Sequence, residues 1–141
     1  MLVTGASILV IEIVGARIIS PYFGVSLYVW SSLITVTLIS LALGYWLGGI
    51  MADAAPLEGR LFTLIFSSAL FLAAIPWVKT PVLGAMSSLG LRAGALTGAS
   101  MLFAGPLILL SMVTPYAIRL SAKKIEGVGK TTGVLYAVTT V

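Results

Sequence analysis

The sequence predicts an all-α integral membrane protein with four transmembrane helices and the start of a fifth. Three observations lead there. Of the 141 residues, 60% are hydrophobic and only 9% are charged, whereas soluble domains carry about a quarter charged residues. The mean hydropathy is +1.16. The apolar residues fall into four runs, each long enough to cross a hydrocarbon core of about 30 Å, which takes about 20 residues of helix at 1.5 Å per residue. Finally, the net charge of +4 comes from cations scattered at the ends of these runs. Such placement reads as a set of topology determinants and, lacking a basic stripe, excludes nucleic acid as a partner.

The first segment is residues 2–20. It has no basic leader, contains Glu12 and Arg17, and is followed within a few residues by another apolar run, so it reads as a retained membrane helix and not a signal peptide. It is expected to stop at Ser20-Pro21, because the residue before proline is pushed out of the helical region, and Gly24 supports a tight reversal. The second segment, 26–51, opens on Ser26 as a candidate N-cap and places Tyr28 and Trp30 where an aromatic belt would sit. It ends near Asp53. The short connection Ala54 to Gly59 contains Pro56, which predicts that segments two and three are antiparallel neighbours.

The third segment is 60–78, with Pro76, Trp77, Lys79 and Pro81 read as its interfacial end. Residues 82–91 are apolar but broken by Gly84, Ser87, Ser88 and Gly90; they are a surface loop, an interfacial turn or the early part of segment four. The fourth segment, 92–117, has Pro106 in its interior, which removes one backbone hydrogen bond and bends a helix. Arg119, Lys123, Lys124 and Lys130 then form a cationic segment, 119–130. Residues 131–141 start a fifth apolar helix that is too short to span.

Orientation follows from the cations. Four spans put Arg60, Arg119, Lys123, Lys124 and Lys130 on the side of the N-terminus, and Arg17, Lys79 and Arg92 on the other. The excess on the first side makes it cytoplasmic. The expectation is a multi-pass protein of the cell (inner or plasma) membrane with a cytoplasmic N-terminus.

Little in the sequence supports catalysis. There is no cysteine and no histidine, which excludes disulfides, thiol chemistry and metal sites built on those ligands. The four acidic residues are dispersed, so no metal cage and no cofactor is expected. Gly127-Val128-Gly129-Lys130-Thr131 resembles the end of a phosphate-binding loop, but Lys124 stands where that loop needs its first glycine and no strand precedes it. No nucleophile elbow and no dinucleotide fingerprint occurs. The chain is not expected to be an enzyme.

Glu12 is the main functional lead. A carboxylate near the middle of an apolar span is expensive unless it is paired, neutralised or used. Arg17 lies five residues on, about 7.5 Å along the axis and about 140° around it, so the two are not ideal neighbours. Either Glu12 binds a proton or cation in a polar crevice with Arg17 near its mouth, or Glu12 is satisfied by neighbouring hydroxyls and Arg17 snorkels to the headgroups. Asp53 and Arg60 flank the connection between segments two and three. They form either a latch that opens when helices rock or a solvated charge pair worth under about 1 kcal/mol.

Small residues recur every four positions at Ser40, Gly44 and Gly48, and again at Gly90, Gly94 and Gly98. Such stripes let helices approach closely, within one subunit or between subunits. They support a homo-oligomer.

Taken together, Glu12 with Arg17, then Pro21, Gly24, Ser26, Trp30, Gly44, Gly48, Gly49 and Asp53, and later Pro115 with Arg119 and Gly133-Val134-Leu135-Tyr136-Ala137-Val138 with Thr140, resemble the membrane domain of fused major-facilitator/spermidine-synthase-like proteins. These are aminopropyltransferase-type proteins with a transmembrane portion. Gly48 to Arg60 also resembles the cytoplasmic loop between helices two and three of major facilitators. The resemblance implies a partial major-facilitator-like bundle and a link to polyamines or S-adenosylmethionine. That family continues into further helices and often a synthase domain, and neither lies within these 141 residues. Aminopropyl transfer is therefore not carried over, and the sequence reads as a small protein, a fragment or one part of a split system. Glu12-Ile13-Val14-Gly15 is also similar to the first-helix glutamate of small multidrug transporters.

The expected function is that of a transporter-like membrane module whose Glu12 binds a proton or a small organic cation. The alternative is a non-transporting anchor for a spermidine-synthase-like partner enzyme.

Overall fold

A computed structural model of the protein describes residues 2–54 and 58–124, all of the regular structure being helical. The helices are α1 (Leu2–Phe23), α2 (Leu27–Ala54), α3 (Glu58–Ser87) and α4 (Leu91–Lys124). Each contains a window long and apolar enough to cross a membrane, which makes the chain a multi-pass membrane protein by length and composition. The expected fifth helix at 131–141, and the phosphate-loop-like stretch before it, lie outside the described residues.

Two helix ends fall later than the sequence suggested. α1 runs through Pro21 to Phe23. A proline near the C-terminus of a helix costs one backbone donor without blocking the last turn. The stop is set instead by Gly24, whose φ of 75° is left-handed and whose N–H donates to Ser20 O at 2.8 Å, a 5→1 bond that closes the helix. Likewise, α3 continues through Pro76 and Pro81 to Ser87, so residues 82–87 extend the third helix. Prolines are tolerated within membrane helices because neighbours re-satisfy the freed backbone groups. Gly90, at φ 81°, makes the turn into α4.

Ser26 stands just before α2, and its carbonyl accepts from Val29 N and Trp30 N. Its hydroxyl, however, is buried without a hydrogen-bond partner, so Ser26 takes the N-cap position without making the side-chain cap bond.

Helix α4 is the centre of the bundle. Of its spanning window 56% is buried, against 17% for α3 and 22% for α1, and it packs on all three other helices. Consequently α2 and α3, though joined by a short connection, make no close backbone approach among the described residues. The expected α2–α3 pairing is replaced by α2–α4 and α3–α4 packing. The reason is visible in α4 itself: Gly94, Ala95, Gly98, Ala99, Gly105 and Ser111 offer close approach on more than one side. Large apolar side chains such as Leu9, Trp46, Phe66 and Trp77 remain exposed, as lipid-facing residues do.

Candidate functional site

Helices α2 and α4 run parallel, since each is separated from its neighbours in the chain by one reversal. Their contact is closest at the small-residue stripe of α2. A Cβ on Gly44 would overlap Ser111 Oγ and lie 2.5 Å from Ile108 O; one on Gly48 would stand 2.8 Å from the Met112 backbone and from Pro115 Cγ. Ser111 Oγ sits 2.8 Å from Ile108 O and 3.3 Å from Ser40 O, sharing its proton between helices. The second stripe is filled in the same way. Gly94 receives Met86 O and the Phe23 ring, and Gly98 receives Leu83, while Gly90 serves the turn. Both stripes are therefore occupied within one chain. A subunit interface through them, which the sequence left open, is sterically closed.

Each end of the α2–α4 pair carries a polar tie. At one end Arg92 donates to Tyr28 OH at 2.8 Å and its guanidinium lies 4.6 Å from the ring centroid. At the other, Arg119 Nε meets Asp53 Oδ1 at 3.3 Å. Tyr28 and Asp53 are 25 residues apart on one helix, about 38 Å at 1.5 Å per residue. That exceeds the hydrocarbon core of about 30 Å and falls within the full bilayer thickness of about 40–45 Å. The exposed Trp30 and Trp46 lie inside these ties, as interfacial belts do.

The ion pair of Asp53 is thus made with Arg119 and not with Arg60, the partner the sequence suggested. Arg60 is exposed and sits on α3, whose backbone does not approach α2 closely, whereas Arg119 comes from the helix that runs beside it. Both members of the observed pair are more than half exposed, so solvent screening keeps its worth below about 1 kcal/mol. Asp53→Asn is expected to leave thermal stability in detergent within about 1 kcal/mol of the parent. A larger loss would mean that the tie is a structural lock.

Glu12 and Arg17 are not brought together. Glu12 is half-buried in the row that continues through Ala16, Ile19 and Phe23, while Arg17 is exposed on the opposite side of α1. Among the described residues the Glu12 carboxylate makes no ion pair and no hydrogen bond. Gly15, one turn on, faces Leu33 and Phe103, which places Glu12 beside the apolar core.

Sequence reading missed one charge. Lys79 is not at the interfacial end of the third span that the sequence predicts, because α3 continues eight residues beyond it, about 12 Å. Lys79 is half-buried and falls in the row of Leu72, Ile75, Leu83 and Met86, which faces the core. Its spacing from Ile75 and Leu83, four residues each way, was a usable signal.

A cleft of about 200 Å³ opens between α2 and α4, lined by Thr35, Ile39, Ser40, Leu96, Ser100 and Ala104 among others. Its walls carry hydroxyls and no ionisable group. Among the described residues no cluster of three or more acidic side chains exists that could hold a metal. Comparisons with protein-family models, with curated proteins and with solved structures found no match.

Proposed function

We propose that the chain is a transporter-like multi-pass membrane module in which Glu12 binds a proton or a small organic cation, polyamines being within that class. The observation that supports this reading is a carboxylate within an apolar spanning helix, half-buried and with no ion pair or hydrogen bond among the described residues. In hydrocarbon an acidic side chain is expensive, and acids retained there serve ion or proton pathways. One carboxylate shared by a proton and a cation makes their binding mutually exclusive, which is the basis of exchange. In this reading the module lies in the cell membrane with the N-terminus and the Asp53–Arg119 end cytoplasmic, because cations are in excess there.

The test is flux in proteoliposomes loaded with a pH gradient, using methylammonium and putrescine as probes. Uptake is expected to depend on the gradient and to fall at least tenfold in Glu12→Gln. Equal flux in the variant removes the transport role. The second reading, a membrane anchor for a synthase-like enzyme, draws on the resemblance of the chain's two ends; retention of such an enzyme by the purified protein, with no flux, selects it.

A further inference from the structure

We infer that Lys79 is the second charge of the intramembrane site, set across the α1–α3 seam from Glu12, and that the pair takes a small zwitterion such as an ω-amino acid. The inference rests on the reading of Glu12 as a ligand site, and names the substrate class that site accepts.

The geometry starts at the junction where α1 and α3 meet on α4. A Cβ on Gly94 would stand 2.5 Å from both the Phe23 ring and Met86 O, and one on Gly98 would stand 2.9 Å from Leu83. Phe23 ends the α1 row that contains Glu12, Ala16 and Ile19, all of them buried or half-buried; Met86 ends the α3 row that contains Ile75, Lys79 and Leu83. Because α1 and α3 run in the same direction and touch, depth can be counted down both from that junction. Glu12 is eleven residues below Phe23, about 16 Å, and Lys79 is seven below Met86, about 10 Å. The two charges thus stand on core-facing rows of adjacent helices, about 6 Å apart in depth. Side chains on both parallel helices lean toward the N-terminus, so the offset in depth is shortened only by the longer reach of the lysine.

Neither group has a partner among the described residues, and the two are not in ion-pair contact with each other. Arg17, the other ionisable side chain on this part of α1, is exposed on the far side of the helix. Two unpaired charges of opposite sign at this depth are each unfavourable. A monovalent cation relieves only Glu12, and a dication also meets the like charge of Lys79. A molecule with an ammonium at one end and a carboxylate at the other compensates both.

The test uses the full chain in detergent micelles, with equilibrium binding of glycine, 4-aminobutyrate and 6-aminohexanoate measured beside butylamine, butyrate and putrescine. At least one amino acid is expected to bind ten or more times tighter than butylamine. Lys79→Gln should erase that advantage, weakening the amino acids while butylamine binds as tightly or more tightly once the like charge is gone, and Lys79→Arg should keep it. If butylamine and putrescine bind as tightly as every amino acid and Lys79→Gln changes nothing, the zwitterion site is wrong and the cation site stands. Binding by none of the six probes removes both.

Discussion

Gly44→Ala is expected to lower stability by about 2–3 kcal/mol, the upper part of the range for overpacking a close-packed contact. A single methyl has this effect because of what stands in its way. Ser111 Oγ can rotate, but Ile108 O, 2.5 Å from the new Cβ, is backbone, and moving it means separating α2 from α4. The hydroxyl shared between Ser40 O and Ile108 O would be displaced as well, stranding it in an apolar seam. Gly49 supplies the control. It lies on the same helix with nothing within 4 Å of its Cβ direction, so Gly49→Ala should be neutral or stabilising by up to about 1 kcal/mol, the gain in helix propensity. Reversible unfolding in mixed micelles reads both. Equal values for the two variants would mean that α2 and α4 are not in the contact described.

Gly94→Ala is the second large effect, again about 2–3 kcal/mol, and it acts on a different joint. Here the Cβ meets Met86 O from α3 and the Phe23 ring from α1, each at 2.5 Å. The obstruction is therefore half flexible and half rigid. In a Phe23→Leu background the ring is gone and only the carbonyl remains, so the same substitution should cost roughly half as much, a coupling of about 1 kcal/mol in the double-mutant cycle. Strict additivity would place Phe23 elsewhere. Because this joint closes the top of the α1–α3 seam, Gly94→Ala should also weaken amine binding at Glu12 more than Gly49→Ala does. Binding that is unchanged while stability falls would separate the joint from the site.

The membrane character of the chain was legible because hydrocarbon imposes a one-dimensional demand. Every backbone group must be bonded within its own segment, so runs of about 20 apolar residues declare themselves. The helix stops were less so. Proline at position 21 looked like a terminator, yet the deciding element was the left-handed Gly24. The prolines at 76 and 81 looked like an interface, yet α3 passes through both. Proline reports a lost donor, which a buried neighbour can tolerate; glycine at positive φ reports a reversal, which nothing else replaces cheaply. The depth of Lys79 follows from the same cause, since it depends on where α3 ends.

By itself, the sequence determined that four helices are apolar enough to cross a membrane, that small residues line α2 and α4 at four-residue spacing, and that Glu12 falls within the first apolar segment. These are properties of single segments, set by hydropathy and helical period. Only the tertiary structure decided that α4 sits between α2 and α3, that Asp53 meets Arg119 instead of Arg60, and that Lys79 shares the core-facing side with Glu12 while Arg17 does not. Those outcomes depend on which helix fills which stripe. In lipid the hydrophobic effect does not distinguish one apolar face from another, so the choice falls to close packing at a few glycines, whose spacing shows that a partner fits but not which one.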